Sequence, residues 1–217
     1  MSLRGRTFPV VLAAPSGAGK TTLAKALVER NAGLVFSVSA TTRPPRLHER
    51  PGRDYLFVDD AEFDRLLAAG ELVEWAVVHG HRYGTPRGGI DDAIARGDIV
   101  VLDIDFQGAR QIRAAFADAV LIFVLPPSTE ELIRRLLERA SETPDQRSAR
   151  LRTARVELGV AHEFDYVVVN DVFETAIRTL EAIVEAERHR VSRTHGIRAR
   201  LLQLNESLDR ALQGSIE

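Results

Sequence analysis

The sequence of 217 residues predicts an α/β protein in which a parallel sheet is flanked by helices. Three short apolar runs, Pro9–Ala14, Ile99–Ile104 and Val120–Leu125, have the length and composition of buried parallel strands. A fourth run, Tyr166–Val169, follows the same pattern. Helical periodicity separates each run from the next, which predicts right-handed βαβ crossovers and a sheet covered on both faces.

Capping signals mark several of the helices that connect these strands. The segment Ser128–Glu131 forms a capping box, in which a serine precedes a glutamate by three residues. The segment Thr143–Gln146 combines an N-cap threonine with a first-turn proline and a second capping box. Gly70 and Gly97 lie where the ends of helices need a left-handed residue.

A long stretch between the first two predicted strands has a different composition. From about Ser37 to Gly89 it is rich in Thr, Pro, Gly and Arg, with aromatic residues interleaved. We interpret it as a mixed α+β subdomain of short strands and loops around one helix, at roughly Ala61–Ala69. The predicted organisation is therefore a core of residues 1–36 and 95–190, an inserted subdomain of residues 37–94 and a C-terminal helical extension of residues 191–217.

The C-terminal extension carries an amphipathic pattern. Beyond Gly196, apolar residues recur at helical spacing: Ile197, Leu201, Leu204, Leu208 and Leu212. Such a stripe packs either on the core or against a second copy of the chain, and we favour the core. The chain is accordingly expected to be a monomer or a homodimer.

Composition excludes several classes of protein. The net charge of −2 provides no overall field toward nucleic acid or an anionic membrane. The absence of cysteine excludes disulfides and thiolate chemistry. No apolar stretch approaches the roughly 18 residues of a membrane helix, and the N-terminus lacks the apolar segment of a secretion signal. We expect a cytoplasmic protein without nucleic-acid or membrane partners.

A phosphate-binding loop follows the first predicted strand. Val10–Ala14 runs into Pro15–Thr22, and a helix with Leu23 and Leu27 comes next, which is the strand–loop–helix setting of a phosphate loop (P-loop). Glycines let the backbone turn its N–H groups inward, and the helix N-terminus adds its dipole. The sequence therefore predicts a P-loop NTPase core, and the alternative of a glycine-rich turn without a ligand fits this setting less well.

Individual residues of this loop have expected roles. Lys20 would reach the β- and γ-phosphates of ATP, and the Thr21 hydroxyl would face Mg²⁺. One departure stands out, because Ala14 replaces the usual first glycine of the motif. The residues predicted to bind ATP and Mg²⁺ are Ser16, Gly17, Ala18, Gly19, Lys20, Thr21 and Thr22. The loop itself does not identify the reaction, since several enzyme classes use it.

The inserted subdomain contains candidates for a second substrate. Arg43 and Arg46 lie three residues apart on a proline-stiffened loop, and two rigid guanidinium groups suit a phosphate monoester. Tyr55 and Tyr83 are further hydroxyl donors. Glu74 lies among apolar neighbours, and two interpretations remain open for it. It is either a partly buried ion-pair partner or an acceptor for the N1–H and N2–H₂ edge of guanine, which adenine does not present.

The order of these motifs resembles the guanylate kinase family over roughly residues 8 to 190. By this resemblance the protein transfers the γ-phosphoryl of ATP to GMP directly and in line, with Mg²⁺ as cofactor, and residues 37–94 form a GMP-binding subdomain. The matching segments are Ala14–Thr21, Ser39–Arg46, Gly52–Val58, Tyr83–Thr85, Leu102–Gly108 and Val169–Asp171.

The resemblance also implies roles for individual residues. Arg43, Arg46, Tyr55 and Tyr83 would hold the GMP phosphate, and Ser39, Glu74, Thr85 and Asp105 would contact guanine, while Asn170 would lie near the adenine of ATP. Asp103 would either support the water shell of Mg²⁺ or cap the strand end.

The resemblance further implies a helical lid at about residues 139–158, with Arg139 and Arg150 clamping the transferred phosphoryl group. The catalytic residues would be Lys20, Arg43, Arg139 and Arg150. The family's Gly-Arg-Gly before the lid helix reads Glu138–Ala140 here, so Arg139 has alternatives in Arg135, Arg147 and Arg155, each of which otherwise belongs to a solvated helix face.

Two other functions compete with this prediction. A P-loop kinase of another phosphorylated metabolite, such as a sugar phosphate, would lack the joint set of Arg43, Arg46, Tyr55, Glu74 and Tyr83. A non-catalytic guanylate-kinase-like module that binds a protein typically loses the P-loop lysine, whereas Lys20 and Thr21 are present in this chain.

Overall fold

The computed structural model describes residues 5–78, 80–137 and 144–214. The strands, in chain order, are β1 (Val10–Ala13), β2 (Leu34–Phe36), β3 (Ala40–Thr41), β4 (Leu56–Phe57), β5 (Leu72–Val78), β6 (His81–Pro86), β7 (Ile99–Asp103), β8 (Val120–Leu125) and β9 (Tyr166–Val169). The helices are α1 (Lys20–Arg30), α2 (Asp60–Ala68), α3 (Arg87–Arg96), α4 (Phe106–Ala115), α5 (Thr129–Leu137), α6 (Pro144–Gly159), α7 (Phe173–Arg188) and α8 (Ile197–Gly214).

The core is a five-stranded sheet in the order β2-β7-β1-β8-β9, with every neighbouring pair parallel. Side chains alternate between its two faces along each strand. Val10 and Leu12 of β1 pack with α1 and α7 on one face, and Val11 packs with α3 and α4 on the other. The predicted parallel sheet with helices on both faces is confirmed.

One core strand was missing from the sequence prediction. β2 pairs with β7 at the edge of the sheet, so the inserted segment follows the second core strand rather than the first. With only three residues, two of them half-buried, β2 is too short and too mixed to stand out as an apolar run.

The inserted segment forms a second sheet of mixed direction, in the order β4-β3-β6-β5. The β3–β6 and β5–β6 pairs are antiparallel, and β3–β4 is parallel. α2 covers this sheet with Phe63 and Leu66, which pack against Ala40. The Asp59 carboxylate caps α2 by accepting from the Glu62 N–H at 2.8 Å. The helix expected near Ala61–Ala69 is therefore present, displaced by one residue.

The stretch from about Ser37 to Gly89 was expected to hold one helix, and the structure adds α3, which begins at Arg87. Ile90 and Ala93 of α3 are fully buried against Val11 and Leu102 of the core sheet. The expected boundary between residues 94 and 95 therefore falls inside a helix that packs on the core, and we propose that the boundary precedes α3. Gly88 and Gly89 in its first turn lower its helix propensity, and α3 was therefore not predicted from the sequence.

The C-terminal extension is anchored at its beginning. Arg193 is buried, and its guanidinium lies 2.9 Å from Glu187 Oε2 and donates to the Asp118 carbonyl at 2.8 Å. Beyond this anchor, the expectation that the leucine stripe packs on the core is wrong. The exposed fraction of the α8 leucines ranges from 44% at Leu204 to 63% at Leu212. Across the described ranges, no helix has the length and apolarity needed to span a bilayer.

Candidate active site

The phosphate loop connects β1 to α1 through two left-handed glycines. Gly17 has φ 88° and Gly19 has φ 85°, a region that side chains with a Cβ rarely adopt. The Ala18 N–H donates to the Pro15 carbonyl at 3.1 Å, which closes the turn. A Cβ at Gly19 would lie 2.5 Å from Asn170 Nδ2, so the position requires glycine on steric grounds as well.

Ala14 occupies the position of the usual first glycine. It is 7% exposed and belongs to the core cluster formed around β1 and α1. The methyl group is thus packed in the core, and the loop beyond it keeps both left-handed glycines. The substitution therefore leaves the geometry of the anion-binding part of the loop in place.

Lys20 and Thr21 meet a carboxylate at the end of the neighbouring strand. Lys20 Nζ donates to the Ile104 carbonyl at 2.5 Å and lies 2.9 Å from Asp103 Oδ1. The Thr21 hydroxyl donates to Asp103 Oδ2. These groups meet because β7 is parallel to β1, so that the carboxyl ends of both strands lie on one edge of the sheet.

Asn170 follows β9 and fixes the loop from the other side. Its Nδ2 donates to the Ala18 carbonyl at 2.8 Å, and the side chain is buried. The structure thus places the Asn170 amide against the phosphate loop. Thr22 is exposed on the first turn of α1.

Glu74 of β5 is buried and only 4% exposed. It lines a cleft that Lys20 and Asp103 also line. Its Oε1 accepts from the Thr85 hydroxyl at 2.5 Å, and the Ser39 hydroxyl lies 3.5 Å from that of Thr85. Burial raises the pKa of Glu74 to about 7, with Asp105 adding to the shift and the Thr85 hydrogen bond and Lys20 opposing it. Among the described residues, the side chain that donates to the Glu74 carboxylate is a hydroxyl rather than a basic group. This contact does not favour the ion-pair interpretation.

Arg43 lies beside two tyrosines and an acidic residue. Its Nε donates to the Tyr83 hydroxyl at 3.2 Å, and its guanidinium donates to both carboxylate oxygens of Glu49 at 3.0 and 2.8 Å. Burial works against the charge on Arg43, but the bonds to Glu49 and Tyr83 outweigh it and raise the pKa of Arg43. The backbone N–H of Arg46 also donates to Glu49, at 2.8 Å.

Glu49 was not among the predicted site residues. Burial tends to raise its pKa, but the hydrogen bonds from Arg43 and Arg46 outweigh this and hold the pKa below its usual value. Burial also raises the pKa of Tyr55 to about 12, so its hydroxyl stays protonated and remains a donor.

Asp105 lies at the junction of β7 and α4 and caps that helix. Its Oδ1 accepts from the Gly108 N–H at 2.9 Å, and its Oδ2 accepts from Gln107 Nε2 at 2.9 Å. The N-cap position explains why an aspartate occurs here, and the same side chain lines the cleft.

The segment of about residues 139–158, expected to form the lid, overlaps α6. Arg139 lies outside the described residues. Arg150 is buried, and its Nη1 donates to the Leu136 carbonyl at 2.7 Å, while its Nη2 donates to Ser16 Oγ at 3.2 Å. Among the alternatives, Arg135 Nη1 lies 3.4 Å from the Gly17 carbonyl and Arg155 is exposed. The side chain of Arg147 lies outside the described part of the chain.

Sequence reasoning missed a second buried carboxylate, Glu157 of α6. It is 8% exposed and accepts from the Ser16 N–H at 3.2 Å. Burial raises the pKa of Glu157 to about 7; the Ser16 hydrogen bond and Lys20 oppose the shift, and Asp105 adds to it. A signal was present, since Arg150, Ala154 and Glu157 share one face of a helix.

These groups converge on one cleft between the core and the inserted subdomain. The predicted residues that line it are Ser16, Gly17, Lys20, Thr21, Ser39, Arg46, Tyr55, Glu74, Tyr83, Asp103 and Asp105. Arg43 and Thr85 adjoin the lining through Tyr83 and Glu74. A phosphate loop facing a second polar pocket defines a P-loop kinase, an enzyme that moves a phosphoryl group between two bound molecules.

Comparison with known proteins identifies the family. The model of the family described as guanylate kinase matches residues 6–187. The chain belongs to the guanylate kinase family.

Individual relatives agree with this assignment. A guanylate kinase from Polaromonas sp. is 49% identical over 92% of this chain and 96% of its own. A guanylate kinase from Myxococcus xanthus is 51% identical over 85% of this chain and 88% of its own. The crystal structure of guanylate kinase from Anaplasma phagocytophilum is 37% identical, with a TM-score of 0.79, and the match covers 92% of this chain and 96% of that one.

Proposed function

We propose that this protein is an ATP:GMP phosphotransferase that transfers the γ-phosphoryl of ATP directly to GMP, or to dGMP, giving ADP and the diphosphate. The observation that carries the proposal is the position of Glu74. This buried carboxylate shares one cleft with Lys20 of the phosphate loop, so a base-reading group and a phosphoryl-binding group face the same space.

Guanine recognition is assigned to Glu74 together with Thr85, Ser39 and Asp105. The N1–H and N2–H₂ groups of guanine are two parallel donors, which suit the two oxygens of an ionised carboxylate. Adenine would leave that buried carboxylate without a donor pair, at a cost that discriminates strongly against AMP. Thr85 holds the carboxylate in place, and Ser39 supplies a further hydroxyl beside it.

The GMP phosphate is assigned to Arg43, Arg46, Tyr55 and Tyr83. In the structure Glu49 accepts from the Arg43 guanidinium and from the Arg46 backbone N–H. A phosphate oxygen would take the place of Glu49 on the Arg43 guanidinium, because it is likewise an anionic acceptor that a guanidinium binds in a bidentate manner. Tyr55, whose hydroxyl stays protonated because burial raises its pKa, would donate to the same phosphate.

ATP and Mg²⁺ are assigned to the phosphate loop. The backbone of Ser16–Thr22 would surround the phosphates, and Lys20, which lies 2.9 Å from Asp103 in the structure, would neutralise charge on the β- and γ-phosphoryl oxygens. The Thr21 hydroxyl and the Asp103 carboxylate supply hard oxygen donors that fit Mg²⁺, an ion that usually takes few protein ligands. When bound, Mg²⁺ withdraws charge from the phosphate oxygens.

The transfer itself requires positioning and charge stabilisation rather than proton transfer. The acceptor is an anionic phosphate oxygen, so no general base is needed and no covalent enzyme intermediate forms. Lys20 is assigned to the phosphates of ATP and Arg43 to the phosphate of GMP. Arg150 and Arg139 are assigned to the lid. Since ATP and GMP are both cytoplasmic metabolites, we place the reaction in the cytoplasm and in purine nucleotide metabolism.

The direct test measures ADP release from ATP and Mg²⁺ with GMP, AMP, CMP, UMP, a sugar phosphate or no acceptor. We expect rapid release with GMP alone, and a fall of at least about a thousandfold in Lys20→Ala, since one phosphate-binding cation is worth several kcal/mol in the transition state. Turnover with the sugar phosphate instead of GMP would overturn the assigned acceptor. An absence of turnover with every acceptor would favour a non-catalytic module.

We further propose that the chain forms a homodimer through α8. Ile197, Leu201, Leu204 and Leu208 follow one another at spacings of four, three and four residues, which is the pattern of a two-helix seam. The leucines of this stripe are largely exposed in the single chain. A continuous apolar stripe of this kind on a soluble domain marks an interaction surface.

Charge placement indicates an antiparallel pair. Arg198 near the start of α8 and Asp209 near its end lie on the same flank of the apolar stripe. An antiparallel second copy, in which Leu201 of one helix meets Leu204 of the other, brings Arg198 beside Asp209 of the second copy. The helix dipoles are also opposed in this arrangement.

Sedimentation of the full chain tests the assembly. We expect a dimer mass for the parent and a monomer mass for Leu204→Glu, while Leu202→Glu, which lies outside the stripe, leaves the dimer intact. Asp209→Arg should weaken the dimer and Arg198→Asp should restore it in the double variant. A monomeric parent, or equal behaviour of the two leucine variants, would contradict the proposal.

A further inference from the structure

The lid helix α6 contacts the phosphate loop through two side chains of opposite charge. Arg150 and Glu157 lie two helical turns apart on one face, with Ala154 between them packed against Leu132 and Leu136. Both reach Ser16: Arg150 Nη2 donates to Ser16 Oγ at 3.2 Å, and Glu157 Oε2 accepts from the Ser16 N–H at 3.2 Å.

The Ser16 N–H belongs to the phosphate loop between β1 and α1. In a phosphate loop such N–H groups bind phosphate oxygens, and a carboxylate oxygen is likewise an anionic hydrogen-bond acceptor. Glu157 is also buried, which is costly for a carboxylate unless opposite charge or strong donors surround it. Glu157 has no role in the proposed phosphoryl transfer.

We propose that, in the empty enzyme, Glu157 takes the place of an ATP phosphate oxygen at the phosphate loop, so that ATP binding must displace or neutralise its carboxylate and thereby resets the lid helix. Glu157 is a positioning residue, since it acts through Ser16 and α6 and touches no reacting atom. The inference rests on the proposed function, because it takes ATP as the ligand of this loop.

The charges around Glu157 determine how it responds. Lys20 of the phosphate loop attracts the carboxylate, and Asp105 at the start of α4 repels it. Arg150 on the same helix reaches the same serine. A phosphate group arriving at the loop adds negative charge beside Glu157, which favours the protonated carboxyl. ATP binding is therefore coupled to proton uptake by the enzyme when the solution pH is close to 7.

The test compares the parent with Glu157→Gln, which keeps the shape and an acceptor for the Ser16 N–H but removes the charge. Calorimetry gives the Kd of Mg-ATP in the absence of GMP at about pH 6 and about pH 8.5, on either side of the raised pKa. We expect the ratio of parent Kd to variant Kd to be near one at the lower pH and on the order of tenfold at the higher pH. The ratio cancels the titration of ATP itself.

The number of protons taken up on ATP binding is a second readout, and a purely structural role of Glu157 would not change it. Titrations near neutral pH in buffers of different ionisation enthalpy report protons taken up on binding, and the parent should take up a fraction of a proton that Glu157→Gln does not. Glu163→Gln, a matched change at an exposed residue paired with Arg110, should behave as the parent.

Three other results of these titrations would contradict the inference or the proposed function. Intact ATP binding with a flat Kd ratio and equal proton uptake would overturn this inference and leave the proposed function standing. Weaker ATP binding by Glu157→Gln at every pH would also overturn it, since the carboxylate would then assist the phosphate. A parent chain that does not bind Mg-ATP would overturn the proposed function, and the inference with it.

Discussion

Two carboxylates in the cleft, Glu74 and Glu157, have nearly the same burial and different partners. Glu74 accepts from a side-chain hydroxyl in the inserted subdomain, and Glu157 accepts from a backbone N–H of the phosphate loop. Burial raises the pKa of each to about 7. We assign Glu74 to reading the acceptor base and Glu157 to sensing the donor phosphate, because of where each side chain lies.

Glu74→Gln should selectively damage recognition of GMP. The amide cannot accept both guanine donors, and loss of a charge-assisted pair costs about 2–3 kcal/mol, so kcat/KM for GMP should fall about a hundredfold. The Kd of Mg-ATP should stay unchanged. Steady-state rates with varied GMP provide the measurement, with Glu71→Gln, an exposed change beside the same strand, as the control. An unaltered kcat/KM for GMP would remove Glu74 from the base-reading site.

The phosphate loop shows how one element depends on the backbone conformation of single residues. Gly19 and Gly97 have almost the same backbone angle, with φ 85° and φ 86°. A Cβ at Gly19 would meet the Asn170 amide, whereas a Cβ at Gly97 has nothing within 4 Å. The pair therefore separates strain in the backbone from a steric clash at the site.

At the element scale, Gly97→Ala should cost only the conformational strain, about 1 kcal/mol of unfolding free energy, and leave ATP binding unchanged. Gly19→Ala should cost more and should weaken Mg-ATP binding at least about tenfold, because the clash shifts the loop that holds the phosphates. Urea denaturation and calorimetry provide the two readouts. Equal ATP affinity in both variants would show that the loop tolerates the shift.

Stability of the whole molecule should depend on pH through these same carboxyl groups. Glu74 and Glu157 have folded pKa values of about 7 against an ordinary value of 4.5. The folded state therefore retains protons that the unfolded state has released, so their stabilising contribution is present below about pH 4.5 and is lost as the pH rises through 7. Glu131 is shifted the other way, to a pKa of about 2, by hydrogen bonds from Arg134 and Arg135, and its contribution is lost only as the pH falls toward that value.

The double variant Glu74→Gln with Glu157→Gln tests this dependence. Each carboxyl accounts for about 3 kcal/mol of the stability lost by the parent between about pH 5 and about pH 8. The variant's free energy of unfolding should consequently change much less over this range. Urea denaturation at several pH values gives both curves, and parallel curves would show that neither group titrates with a raised pKa.

Features that depend on local spacing were predictable from the sequence. A strand, a glycine loop with Lys20 and Thr21, and a helix follow one another within twenty residues, so the phosphate loop was readable without tertiary information. The longer apolar runs likewise identified β1, β7, β8 and β9. The Ser128 hydroxyl does accept from the Glu131 N–H, at 3.2 Å, as its capping box predicts.

Contacts between residues that are distant in the chain depend on tertiary packing and were not predictable. Ser16 and Glu157 are 141 residues apart in the chain, and their contact exists because α6 packs back over the phosphate loop. β2 and α3 were not predicted because short edge strands and glycine-rich helix starts have weak local sequence patterns. β2 and α3 gain their stability from packing on the core. The prediction that the α8 leucines pack on the core was wrong, because a stripe at helical spacing shows which residues share a face and not what covers it.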